Sequence, residues 1–543
     1  MNEKDAYADR VALALAAHER GPSQGEGSRA LLQALDGAPG EAWLACAQTL
    51  TLRRDTATAH RVLTACAAAF PNDAEVQLAY AGSLLGLGDA GSAERVLREL
   101  LQNVPRHPAA TFLLARLLRN QGRVRAASAA LEDLFPPGRH DPEQVIAAVE
   151  LLGDCDARQA AASLCERQLA AGGTDTRLHA YAAVMLSQLG QFEQARAHYE
   201  QVLALEPRAA DWHVPLGLSS LQRYASAQHP DFDRFAVIAQ RTDLGAEARA
   251  SLEFALGKAW DDVGAFSEAA RHLRAGNALR HTDVRWSRKR WRQQVDVRMA
   301  GMHPGIELSP DPDWTPVFIL GLPRSGTTLL AERLGRHPML RSRGELPWLP
   351  TLGERLLAGP VTPQSLARAA LDYAAQLRRD DADGARWFVD KQPYNMLYVD
   401  LLLAMFPHAR IVLCERNARD NALSIWQQSF QPGTHDYAYD LADIAAVVRG
   451  FRRLAQRAER HYADRVWKVR YEHFVAEPDR HLAALSTWLG LPGTDPRGSH
   501  QPQPSSISTA SLWQARQPIH TRSVGRWRDY VAYVPELGSL PDD

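Results

Sequence analysis

The sequence predicts a solenoid of paired α-helices followed by an α/β domain whose parallel sheet is covered by helices. Three observations predict it: a spacing of 34 residues repeats through the first half, a proline-rich break spans residues 301–316, and strand-like apolar runs then alternate with helical segments. With 543 residues the chain also exceeds the roughly 250–300 at which one hydrophobic core stops growing, so at least two cores are expected.

The repeat is read from its turns. Arg54, Gly88, Gly122, Asp156 and Gly190 stand 34 residues apart, and alanine follows each by five residues at Ala59, Ala93, Ala127, Ala161 and Ala195. Gly264 with Ala269 repeats the pair later. Glycine permits the tight turn between antiparallel helices, and alanine lets their backbones approach. Pro71, Pro105 and Pro207 fall where the second helix of a unit must stop. Runs such as GQFEQARAHYEQVLALEP and GAFSEAARHLRAGNALRH resemble tetratricopeptide (TPR) repeats. We take residues 1–39 as an N-terminal helical cap and 40–280 as the TPR domain, degenerate at 208–245, where HPDFDRF breaks the frame. Stacked repeats form an extended concave surface, which serves either as a rigid spacer or as a platform for a protein or peptide.

Residues 281–314 hold a basic helix, RWSRKRWRQQVDVRM, and a Pro-rich linker, GMHPGIELSPDPDWTP. A second domain is expected over 315–543. PVFILGL reads as a strand, and GLPRSGTTLLAERLGRHP turns at Gly321 and Gly326 before becoming helical. RIVLCER and RVWKVRYEHF read as further strands, and WFVDKQPYN begins with a short one. Strands alternating with helices imply a parallel sheet covered on both faces.

Composition narrows the function classes. At 45% hydrophobic and 23% charged residues the chain is an ordinary globular protein. A net charge of −1 argues against nucleic acid as a partner, so any anion site must be local. Cys46, Cys66, Cys155, Cys165 and Cys414 form no CxxC pair, which signals neither a disulfide framework nor a metal site. The start MNEKDAYADR lacks the basic, then apolar pattern of a signal peptide, and no apolar run reaches the roughly 18–20 residues that span a bilayer. A cytoplasmic protein without membrane association is expected.

The loop between Gly321 and Gly326 has P-loop spacing, but threonine replaces the lysine that reaches the β- and γ-phosphates of a nucleoside triphosphate. It offers Arg324 instead, together with the hydroxyls of Ser325, Thr327 and Thr328, at a helix N-terminus that favours an anion. The string PRSGTT closely resembles the 5′-phosphosulfate-binding loop of the sulfotransferase superfamily. In FPHARIVLCERNARDNALSIW, Arg416 at a strand end and Ser424 eight residues later resemble that superfamily's 3′-phosphate segment. VRYEHFVAEP and TASLWQARQPIHTRSVGRW look like later segments of bacterial TPR-linked sulfotransferases, which are similar to tyrosylprotein sulfotransferases. The match runs with few gaps from about 315 to 532.

The resemblance implies a P-loop-like sulfotransferase domain using 3′-phosphoadenosine 5′-phosphosulfate (PAPS) as co-substrate, without a metal. It places Arg324, Ser325, Gly326, Thr327 and Thr328 on the phosphosulfate, and Arg416 and Ser424 on the 3′-phosphate. Tyr471 is implied against the adenine, Ser511 near the transferring group and Arg526 near phosphate. Sulfuryl transfer should resemble phosphoryl transfer, with positioning and charge stabilisation supplying most of the acceleration. Arg324 then serves the nonbridging oxygens, and Lys391, in a chain with few lysines, neutralises the departing oxygen. Glu345 in RSRGELPW stands where tyrosylprotein sulfotransferases carry a catalytic glutamate, with His337 and His435 as fallback bases. The family's second acidic residue and following arginine are replaced by Leu346, Pro347 and Trp348, which puts peptide-tyrosine specificity in question. The acceptor is expected to be a protein or peptide bound by the TPR surface. A glycan or small-molecule acceptor, or an inactive TPR interaction protein, are the alternatives.

Overall fold

The computed structural model describes residues 24–282, 284–301, 305–306, 308–493 and 516–541, together with 9, 11–13, 15–16 and 18. It divides into two compact units, Met1–Cys155 and Asp156–Asp543.

The first unit is a run of helix pairs: Gly40–Leu52 with Thr56–Ala69, Ala74–Gly86 with Ala90–Asn103, and Pro108–Asn120 with Val124–Leu134. Every turn position in the frame is left-handed, with φ of 64° at Arg54, 81° at Gly88, 75° at Gly122, 65° at Asp156 and 83° at Gly190 and Gly264. Where glycine is absent the fold still imposes the conformation, at a backbone cost of about 1–3 kcal/mol. Asp55 and Asp89 follow the turn and cap the next helix by accepting from the amides of Thr58 and Ser92. The alanines five residues past the turns are all buried, as close helix packing requires.

Helix pairs continue into the second unit with Arg177–Leu189 and Phe192–Leu205. The frame-breaking stretch folds as short helices, Val214–Ser220 and Pro230–Ala239, around Asp231, which is fully buried and accepts from Arg196 at 2.7 Å and Tyr224 at 2.8 Å. A last, regular pair follows at Ala246–Asp262 and Phe266–His281.

Among the described residues five parallel strands form the sheet: β1 (Thr315–Gly321), β2 (Leu340–Ser342), β3 (Trp387–Asp390), β4 (Arg410–Glu415) and β5 (Val466–Arg470), in the order β2-β3-β1-β4-β5. Strand periodicity sends Val317, Ile319, Val389, Val412 and Cys414 into one core and Phe318, Leu320, Phe388, Ile411 and Leu413 into the other. Both faces are therefore covered, as the apolar runs require.

The second core also contains Phe254, Ala269, Ala270 and Leu273 of the last helix pair and Trp291 and Val295 of the basic helix. That helix, Arg288–Met299, lies against Leu441–His461, where Trp291 donates to the Ala446 carbonyl at 3.1 Å and a Cβ on Gly450 would come within 2.6 Å of the indole. The stretch whose sequence suggests a helix and a linker thus supplies part of the sheet's cover. Among the described residues no helix is long and apolar enough to cross a membrane.

Candidate functional site

Ligands of open α/β sheets bind beyond the carboxyl ends of the strands, and the chain's phosphate loop lies there, between β1 and the helix Thr327–Leu334. Its two glycines are required for different reasons. A Cβ on Gly321 would meet the Ser325 Oγ at 2.6 Å and the Cys414 carbonyl oxygen at 2.8 Å. Gly326 has φ of 95°, and its Cβ would meet the Tyr471 ring at 2.6 Å. Arg324 is also left-handed, with φ of 68°. Such strained backbone clusters at ligand-binding sites.

Arg324 donates from Nε to the Ser424 Oγ at 3.1 Å, so the helix Ala418–Trp426 touches the loop directly. Arg416, just past β4, donates to the Arg324 carbonyl at 3.0 Å and the Ser523 carbonyl at 2.7 Å, and its guanidinium lies 4.7 Å from the centre of the Tyr471 ring. The two segments read as phosphate sites are thus linked directly in the fold, through Arg416 on the Arg324 carbonyl and Arg324 on Ser424. Burial, with Arg416 beside it, pushes Arg324 down to about 10. Ser325 is 2% exposed, and neither its hydroxyl nor the Arg416 Nε finds a partner among the described residues. Adjacent guanidinium groups and an unsatisfied buried hydroxyl suit an anion.

These residues line a cavity of about 190 Å³. Arg324, Gly326, Thr327, Thr328, Arg416, Ser424, Tyr471 and Arg526 all line it, whereas Ser325 is buried outside its lining. Ser511 lies outside the described residues. Asp420 is buried and accepts from the amides of Gly525 at 2.6 Å and Trp527 at 2.9 Å, which grips the backbone on both sides of Arg526.

Glu345 and Lys391 form a second constellation, apart from that cavity's lining, at the ends of β2 and β3. They are ion-paired, and the Lys391 amide donates to the Gly344 carbonyl at 2.8 Å. Lys391 is 3% exposed, while the Glu345 side chain keeps 35%, so the carboxylate is the accessible partner. Behind them Asp390 is fully buried and accepts from Tyr373, the Leu346 amide and Asn395. Burial pushes it up to about 7 despite these donors.

The fallback bases separate cleanly. His337 spends both ring nitrogens on backbone, with Nε2 on the Pro492 carbonyl and Nδ1 accepting from the Met339 amide, and is a turn residue. His435 stacks on Phe430 at 4.5 Å, with neither nitrogen partnered among the described residues, and burial pushes it down to about 4, against the nearby Glu345 and Asp436 charges. Sequence reasoning missed Asp420, Lys258, Asp261 and Asp262, which also line the cavity. Charged residues on helices read as solvated faces, so no local signal marks them.

Residues 316–496 match the sulfotransferase family, and residues 84–152 match tetratricopeptide repeats. The class thus defined joins TPR repeats to a sulfotransferase domain. An uncharacterized protein of Aquifex aeolicus is 28% identical over 372 residues, covering 64% of this chain and 48% of its own. Protein-tyrosine sulfotransferase 1 of Danio rerio is 23% identical over 259 residues (42% and 72%), and nodulation protein NoeE of Sinorhizobium fredii 29% over 271 residues (41% and 62%). The chain spans about half the length of the Aquifex relative. Within its class it is similar to the tyrosylprotein sulfotransferases.

Proposed function

We propose that this protein transfers a sulfuryl group from PAPS to an acceptor hydroxyl. The observation that carries this reading is the loop after β1, where Arg324 and Arg416 stand together at the cavity and threonine replaces the lysine of nucleoside triphosphate loops. Arg324 and Ser325 to Thr328 take the phosphosulfate, Arg416, Ser424 and Arg526 the 3′-phosphate, and Tyr471 offers its ring to adenine. No cluster of metal-ligating side chains occurs among the described residues, and the proposed scheme uses none.

In the transfer, a bond forms between the acceptor oxygen and sulfur as the bond from sulfur to the bridging phosphate oxygen breaks. The acceptor proton passes to the Glu345 carboxylate. Lys391, held by Glu345, stabilises the negative charge that develops on the departing oxygen. We place Ser511 near the transferring group by resemblance. The acceptor we favour is a peptide tyrosine presented by the repeats, because several relatives are named for that activity.

Incubation with PAPS labelled in its sulfur and a tyrosine-containing peptide tests the reading. Label on the peptide supports it, and label on a glycan or small hydroxylated molecule alone replaces the acceptor. No transfer to any acceptor, with stabilisation by ATP and magnesium in place of 3′-phosphoadenosine 5′-phosphate, overturns it.

A further inference from the structure

One wall of the donor cavity comes from the repeats. The helix Ala246–Asp262 lines it with Gly257, Lys258, Asp261 and Asp262, and Leu273 of the following helix adds to it. Two carboxylates facing an anion site would repel the ligand if they stood alone. Neither does. Asp261 is ion-paired with Arg526 and also accepts from the Tyr530 hydroxyl. Asp262 pairs with Lys258 at 2.6 Å and accepts from the Tyr224 amide at 3.1 Å. Lys258 in turn donates to the Gln222 carbonyl and lies 4.9 Å from the centre of the Tyr224 ring. Arg526 therefore has its backbone held by Asp420 from the sheet domain and its side chain held by Asp261 from the last repeat.

We propose that the last helical repeat completes the donor site, with Asp261 positioning Arg526 and Asp262 positioning Lys258 as two cations toward the 3′-phosphate of an adenosine 3′,5′-bisphosphate. The repeats then act in donor recognition as well as in any acceptor binding. This rests on the PAPS reading and deepens it. It also makes a prediction opposite to simple Coulomb reasoning: removing the negative charge of Asp261 weakens anion binding, because the cation it holds is released from its geometry.

The test uses the full chain and calorimetric titration with two probes, 3′-phosphoadenosine 5′-phosphate and adenosine 5′-monophosphate, which lacks the 3′-phosphate. Asp261→Asn is expected to weaken the bisphosphate about tenfold and leave the monophosphate within about twofold, a loss near 1.4 kcal/mol confined to one ligand. Asp261→Glu restores part of the affinity. Lys258→Met, which leaves the Arg526 pair in place, shows a smaller loss with the same selectivity. Unchanged or tighter bisphosphate binding by Asp261→Asn, or equal losses for both ligands, overturns the proposal while leaving the donor reading intact. A wild-type chain that binds neither probe overturns both.

Discussion

Arg324 concentrates the demands of the site in one residue. It holds a left-handed backbone, gives its carbonyl to Arg416 and its Nε to Ser424, and loses basicity through burial, with Arg416 beside it adding to the effect. Lysine keeps the charge but lacks the fork that reaches two partners at once. Arg324→Lys is expected to weaken 3′-phosphoadenosine 5′-phosphate at least tenfold in a titration. For Glu345→Gln the expected loss falls on turnover, about 100-fold or more, with nucleotide affinity preserved. Full turnover would remove Glu345 as the base and leave His435 as the candidate, since His337 is committed to backbone. Asp390 sets a pH dependence. Its native value, about 7, lies above the ordinary 3.8, so the folded protein carries an extra proton between those values. Stability is then highest below about pH 4 for this group and declines as pH rises toward about 7, by up to about 1.4 kcal/mol per unit. Urea melts across that range should show the slope flatten in Asp390→Asn, and a slope identical to wild type would refute the assignment.

At the scale of elements, the turns and the phosphate loop use the same backbone region for different ends. Arg54 occupies a position that glycine fills in the neighbouring units, and its side chain is exposed. Arg54→Gly should therefore raise the midpoint of thermal unfolding, the relief of strain being worth about 1 kcal/mol. The opposite change at Gly326 meets both an unfavourable φ and the Tyr471 ring, so Gly326→Ala should lose nucleotide binding in a titration before it loses its fold by circular dichroism. The sequence made β1, β3, β4 and β5 legible through apolar runs next to turn residues. β2, Leu340–Ser342, is too short to alternate visibly, and it forms because β3 offers it an edge. The basic helix was legible as a helix, but its arginines hide the two buried residues, Trp291 and Val295, through which it packs on the sheet domain.

For the whole molecule, the boundary of the repeat pattern and that of compact packing differ. The pattern runs to about residue 280, whereas the units divide at Cys155 and Asp156. The reason lies in the last helix pair, whose Phe254 and Leu273 belong to the sheet domain's core and whose Asn277 and Arg280 donate to the Trp426 and Phe430 carbonyls. A ligand that fills the cavity should therefore stabilise the entire second unit. Thermal unfolding with 3′-phosphoadenosine 5′-phosphate at a hundred times its dissociation constant should show about 2.7 kcal/mol of added stability, and ATP with magnesium little. The reverse order of stabilisation would contradict the donor assignment.

By itself the sequence determined the repeat, the alternation of strand and helix, and the phosphate loop, because each is written in neighbouring residues whose spacing carries the physical requirement. PRSGTT between a strand and a helix is legible for that reason. Tertiary structure decided what stands across from the loop. Arg324 meets Ser424 a hundred positions away, and Asp261 of the last repeat meets Arg526 near the other end of the chain. Such pairings depend on how helices are placed against the sheet by burial of apolar faces, and a charged residue on a helix looks the same in sequence whether it faces water or a ligand.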